Sequence, residues 1–163
     1  MIYSKKICSN IPINIEKQST NIDYIGTVTK YTVKEQNNEI GTVTLSDTFV
    51  GVEVEYIENL HPEQYSGFGK IADQIEVEHC LKRGLKYFDI TSYGGLNSHA
   101  LHYLRGKRFY SDEINNKVKE IIEKTPKGKI FNTKFLGKQR MYMPLEIIEK
   151  YKEIIKKHPL LKF

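Results

Sequence analysis

Early in the chain, three runs alternate apolar or β-branched residues with polar ones, and the period then changes across a glycine-rich turn. The runs are Tyr24–Lys34 (YIGTVTKYTVK), Glu39–Leu45 (EIGTVTL) and Phe49–Leu60 (FVGVEVEYIENL). A period of two puts successive side chains on opposite faces, so each run predicts a strand with one face turned inward. Gln36-Asn37-Asn38 and Ser46-Asp47 supply turn chemistry between the runs. Three such strands in series predict an antiparallel meander. Val50, Val52 and Val54 fall on one face of the third strand, and Glu53 and Glu55 on the other.

Lys70–Arg83 contains no Pro or Gly and is bounded by Gly69 and Gly84, which predicts a helix with a glycine at its C-terminal end. Its apolar pattern is imperfect, with Ile71, Ala72 and Ile75 on one stripe and Val77 and Leu81 on another flank. Leu85–Ser92 alternates as a strand and Gly94-Gly95 breaks it. Asn97 is placed to cap a short helix through Leu104. Arg108-Phe109-Tyr110 reads as a short strand, Asp112–Lys124 as a helix ended by Pro126, and Ile130–Met143 as a strand. Pro144 suits a first helical position, and Leu145, Ile148, Tyr151 and Ile155 stripe a last helix. Residues 1–22 are polar and irregular and predict an extended arm or an edge strand. No linker divides the chain, so residues 1–163 read as one domain, with 111–163 a helix-strand-helix extension.

Composition narrows the functional classes. A length of 163 residues suits one domain with a core of its own. No window approaches the ~18 apolar residues of a membrane span, and no apolar run follows the basic pair near the N-terminus. The expectation is a cytoplasmic protein without membrane contact, its Cys8 and Cys80 reduced. The net charge of +5 is uneven: residues 1–100 carry 9 basic and 13 acidic residues, residues 101–163 carry 16 and 7. Basic residues attract phosphates and acidic ones an amine, although a solvated lysine-rich surface gives the same count. His99 and His102 lie three apart without the further ligands a metal wants, so no metal is expected. Asp89 and Ser92 with a histidine lack the GxSxG elbow of a hydrolase. The basic KGK and KKH runs come without an aromatic-basic or helix-turn-helix signature, which disfavours nucleic acid.

The stretch that carries chemistry is Glu63–Gly69 (EQYSGFG), between a strand and a helix. Glycines there let backbone approach a ligand, and the first helical N–H groups lack intrachain partners. With the helix dipole they form an anion site suited to a pyrophosphate. Glycine in a strand–helix turn also has purely steric uses. The motif reads Q-x-x-G-x-G from Gln64 through Tyr65, Ser66, Gly67, Phe68 and Gly69, followed by Lys70. A second block, N-x-x-A-L-x-Y-L-x-x-x-x-F, runs from Asn97 through Ala100 and Tyr103 to Phe109.

In this order the blocks resemble the GNAT superfamily of acyl-CoA-dependent N-acyltransferases, over about residues 49–109. The blocks EQYSGFG, LKYF and ALHYL are similar in flavour to its protein-lysine acetyltransferase branch. The resemblance implies an α/β (α+β) fold, a mixed, mostly antiparallel sheet flanked by helices. It implies acetyl-CoA as co-substrate, held by Ile57, Gln64, Tyr65, Ser66, Gly67, Phe68, Gly69, Lys70 and Asn97. It implies an amine acceptor, a protein lysine or a small molecule, and a homodimer is a further expectation. Glu53, eleven residues before Gln64, matches the general base, with Glu55 second. The amine would attack the thioester directly, a backbone N–H of the splayed third strand would hold the oxyanion, and Tyr103 would protonate the thiolate. Val52 and Val54 flank Glu53 and would raise its pKa by desolvation; a solvated outer strand face gives the same pattern. Two departures stand out. The usual closing Gly-Phe is Arg108-Phe109, and 22 residues before the hairpin leave no room for the two helices that normally precede it. These departures are what a non-catalytic GNAT-like binding or regulatory protein would also show.

Overall fold

The computed structural model describes residues 5–6, 12–22, 26–48, 51–84, 88–92 and 97–161, with only the backbone of residues 5–6 and 88–92. Cys8, Tyr24, Phe49, Val50, Leu85 and Gly94-Gly95, named above, lie outside these residues, as do the side chains of Asp89 and Ser92. Nine strands are described: β1 (Lys5–Lys6), β2 (Asn14–Ile22), β3 (Gly26–Glu35), β4 (Asn38–Asp47), β5 (Val52–Asn59), β6 (Tyr65–Ser66), β7 (Phe88–Ser92), β8 (Arg108–Phe109) and β9 (Gln139–Tyr142). The helices are α1 (Phe68–Lys82), α2 (Ser98–Leu104), α3 (Asp112–Lys124) and α4 (Leu145–Lys157).

Seven strands form one sheet in the order β2-β3-β4-β5-β7-β9-β8, with β1 and β6 paired separately. Within the large sheet every neighbouring pair is antiparallel except β5 and β7. This is the mixed, mostly antiparallel sheet with helices that the resemblance implied. The meander follows from the alternation: Tyr31 pairs with Val43 and Thr29 with Leu45, and all four are buried. The same face of β5 carries Val52 and Val54, also buried.

Residues 14–22 form the edge strand β2, exposed along nearly its whole length. Ile130–Met143 is not one strand. Lys134–Leu136 form a 3₁₀ turn ended by Gly137 at φ 64°, and only Gln139–Tyr142 joins the sheet. The left-handed glycine reverses the chain there, which a continuous strand excludes. Pro144 is the residue before α4, in extended conformation, and Leu145 is 69% exposed. The inward stripe of α4 is Ile148, Tyr151 and Ile155, joined by Ile147.

Helix α1 is the centre of the molecule. Ten consecutive residues, Ile71 to Cys80, are buried. Ile71, Ala72, Ile75 and Cys80 belong to the apolar core, and Phe68 stands where a Cβ on Gly41 of β4 would collide with its ring. The enclosed polar residues are all partnered, because an unpaired buried polar group costs several kcal/mol. Glu78 accepts the backbone N–H groups of Leu160 and Leu161, and Gln74 donates to the carbonyl of His158. The chain after α4 is thereby tied along α1.

Candidate acyl-CoA site

Strand β5 opens the site. It pairs with β7 only at Val52, Val54 and Glu53 between them, which faces Asp89 in register. From Glu55 to Asn59 it has no β7 partner among the described residues. The departure coincides with a bulge. Thr44 of β4 pairs with Tyr56 and Leu45 with Val54, leaving Glu55 as the extra residue. An inserted residue bends a strand and increases its twist. Beyond the bulge, β5 and β7 are no longer paired among the described residues, and the two strands part as a wedge. Ile57, an expected cofactor contact, lies on this diverging half, half-buried opposite Val43.

The wedge runs into the Q-x-x-G-x-G loop. Asn59 Nδ2 donates to the Tyr65 carbonyl, and the Tyr65 N–H donates to the His61 carbonyl, pinning the turn. Tyr65 and Phe68 are buried anchors, whereas Gln64, Ser66, Gly67 and Lys70 are exposed. Gly67 is the residue before α1, at φ 85°, a left-handed conformation that costs other residues about 1 kcal/mol or more. No side chain caps the helix and its first turn carries no acid. Its first N–H groups are thus open to an anion without competition from a side-chain carboxylate of the first turn. The predicted loop residues divide in two: Tyr65 and Phe68 pack inward, and the exposed Gln64, Ser66, Gly67 and Lys70 surround the helix start.

Gly69 has a steric role within the chain itself. A Cβ there would stand 2.6 Å from Arg105 Nη1 and 2.7 Å from its Cζ. The glycine makes room for an arginine from the end of α2. Arg105 Nε donates to Asp73 Oδ2 at 2.8 Å, and Lys107 Nζ donates to Asp73 Oδ1 at 2.8 Å. Lys107 also lies 3.0 Å from Glu76 Oε2. Asp73, Glu76 and Lys107 are essentially inaccessible. Burial, partly offset by Lys107, pushes the Glu76 carboxyl up to about 7. Sequence reasoning missed this cluster. Its only signal was two acids, three apart, on a helix that otherwise packs inward.

Glu53 is half-buried on β5 and pairs in register with Ser46. Glu55 is exposed, and its Oε1 accepts a 2.6 Å hydrogen bond from Ser46 Oγ. Both glutamates sit on the sheet face opposite α1, because Ser46 and Leu45 alternate. Asn97 precedes α2 as its cap residue, but its side chain makes no cap bond; its carbonyl accepts from Leu101 N. Tyr103 is half-buried, with the Arg108 guanidinium 3.9 Å from its ring centre. Arg108 Nη1 also donates to the carbonyls of Tyr103 and Lys107. The residue that replaces the family's glycine is thus a brace on Tyr103.

The two histidines of α2 do not converge. His99 is buried beside Phe109, with its Nε2 2.6 Å from the Gly137 carbonyl, while His102 Nδ1 accepts from Arg105 Nη2 at 3.0 Å. Burial holds both rings below the usual imidazole range. Among the described residues, no group of three His, Cys, Asp or Glu has the arrangement of a metal site. A second polar network links the sheet to α1. Tyr31 Oη and Asp47 Oδ1 each lie 2.7 Å from a different nitrogen of His79. Among the described residues no helix is long and apolar enough to cross a membrane.

The fold is that of GNAT acetyltransferases. A Bacillus subtilis acetyltransferase in complex with CoA superposes with a TM-score of 0.55 at 21% identity, over 82% of this chain and 99% of that one. An IAA acetyltransferase from Bacillus cereus gives 0.54 at 18%, over 82% and 100%. A GNAT family acetyltransferase from Elizabethkingia anophelis with acetyl-CoA bound gives 0.52 at 18%, over 82% and 98%. No protein-family model and no curated protein matches the chain.

Proposed function

We propose that this chain is an acyl-CoA-dependent N-acyltransferase that moves an acetyl group from acetyl-CoA to a primary amine, and that it acts in the cytoplasm as one domain. The observation that supports this most is the parting of β5 from β7 at the Glu55 bulge, one loop before Gly67. The wedge offers backbone partners to the amide-bearing arm of the cofactor, and the start of α1 offers N–H groups to its pyrophosphate. Gln64, Ser66, Gly67 and Lys70 take the phosphates, and Ile57 and Asn97 take the arm. Glu53 is the general base for the acceptor ammonium, an N–H of β5 holds the oxyanion, and Tyr103 returns a proton to the thiolate. The two acids beside the wedge suit a cationic acceptor, a protein lysine first and a small amine second.

A non-catalytic CoA-binding protein is the second reading, favoured by Arg108, which stacks on the residue proposed as the acid. Thermal melting with CoA tests both together. At 100 times its dissociation constant a ligand adds about 2.7 kcal/mol to stability, so CoA should raise the melting temperature clearly. An unchanged transition at millimolar CoA rules out both.

A further inference from the structure

We propose that Arg105 is a phosphate-contacting residue of the acyl-CoA site, its Nη1 completing the anion cradle at the start of α1; this rests on the reading of that site given above. The argument begins with direction. Gly69 and Asp73 are four residues apart and share one face of α1, one turn removed from each other. The guanidinium lies along that face. Its Nε is bonded to Asp73, and Nη1 is the atom nearest the Cβ position of Gly69, at 2.6 Å against 3.0 Å for Nε. Gly69 is the second residue of α1, so Nη1 lies beside the first turn of the helix, where the unpaired N–H groups gather.

The hydrogen bonds leave that end available. Nε is engaged by Asp73 and Nη2 by His102, while Nη1 has no hydrogen bond among the described residues. The side chain is 18% exposed, enough to meet a ligand at the loop. Its two bonds fix the planar group before any ligand arrives, which lowers the ordering cost of a further contact.

The charge balance also favours an anion. Asp73 does not cancel Arg105, because the same carboxylate serves Lys107 and also accepts from Tyr151 Oη at 3.4 Å. Two cations face two acids, and burial pushes one of those acids, Glu76, up to about 7. At neutral pH the cluster thus keeps part of a positive charge along the face of α1 that Gly69 begins. Gly69 is what permits the approach: any larger residue would push the guanidinium off the helix.

Calorimetric affinities for CoA, dephospho-CoA and pantetheine, measured on the wild type, Arg105→Gln and Arg105→Lys, test this. Pantetheine lacks the pyrophosphate, and dephospho-CoA lacks only the ribose phosphate. Arg105→Gln should weaken CoA and dephospho-CoA alike by at least tenfold, leave pantetheine unchanged, and flatten the salt dependence. Arg105→Lys can reach Asp73 or a phosphate but not both, and should lie between. The proposal is overturned if folded Arg105→Gln binds CoA within twofold of the wild type, or loses pantetheine as strongly as CoA, which marks a purely structural role. It is also overturned if only CoA weakens, which would move the contact to the ribose phosphate. If Arg105→Gln does not fold, Arg105→Lys carries the same criteria. A wild type that binds no CoA overturns the underlying reading instead.

Discussion

Ser46 donates a 2.6 Å hydrogen bond to Glu55, yet in strand register it faces Glu53. The bulge explains the difference: Glu55 is the extra residue, and its carboxylate is tied back to β4. Glu53 precedes the bulge, in the middle of the three parallel pairings with β7. The two glutamates, indistinguishable by alternation, therefore hold different positions relative to the wedge.

Glu53→Gln should lower turnover about 100-fold at neutral pH, the usual scale for a lost general base, with CoA affinity unchanged. The deficit should narrow at high pH, where the acceptor amine is already partly deprotonated. Glu55→Gln keeps a hydrogen-bond acceptor for Ser46 and should stay within a few-fold of wild type. Steady-state kinetics on both variants decides; the reverse ranking would assign the base to Glu55.

The two loop glycines should separate. Gly67→Glu puts bulk and negative charge beside the helix start and should abolish CoA binding while circular dichroism remains native. Gly69→Glu drives its Cβ into Arg105 and should lower the melting temperature as well as binding. A Gly67→Glu variant that folds and binds CoA normally would show that the phosphates sit elsewhere.

Glu76 should leave a signature in the pH dependence of stability. Its carboxyl keeps a proton up to about pH 7 in the folded chain, against an ordinary value of 4.5. Between those values the folded state binds more protons, so this group costs stability as pH rises from 4.5 to 7. The loss is on the order of 3 kcal/mol and Glu76→Gln should remove it. His79, His99 and His102, each held below the usual imidazole range by desolvation, act oppositely, costing stability as pH falls below 6.5, in wild type and variant alike. Denaturant titrations at pH 5 and 8 measure the difference, and parallel profiles would contradict it.

Tyr31→Phe leaves a buried His79 nitrogen without its 2.7 Å partner and should cost about 1–3 kcal/mol in chemical denaturation. The network lies between β3 and α1, away from the wedge, so CoA affinity should not change. Weakened CoA binding in a folded variant would link it to the site.

Much of this was legible in the sequence, for identifiable reasons. β3 buries one face and β5 begins with one face buried, and β4, though buried on both faces, alternates Val43 and Leu45 with threonine and serine, so alternation marks all three. α3 has an amphipathic spacing and a capping Ser111 whose side chain accepts from Ile114 N. β2 was legible only as one of two alternatives because both its faces are largely exposed, leaving no apolar period. The imperfect stripe of α1 has the opposite cause: the helix is enclosed on all sides, and two of its buried acids, Asp73 and Glu76, pair with Arg105 and Lys107, far along the chain. The bulge is invisible in VEVEYIEN, since alternation continues through Glu55 and only the β4 register reveals the slip. The loop glycines were legible as a motif, but the steric reason for Gly69 required the position of Arg105.

The most direct test of the central claim is acetyl transfer itself. The protein would be mixed with acetyl-CoA and a panel of lysine peptides and polyamines, and acetylated product and free CoA quantified by mass spectrometry. The account predicts amine-dependent release of CoA matched one for one by acetylated amine, lost in Glu53→Gln. Acetyl-CoA bound tightly and returned intact across the panel would contradict an enzyme and leave the binding protein.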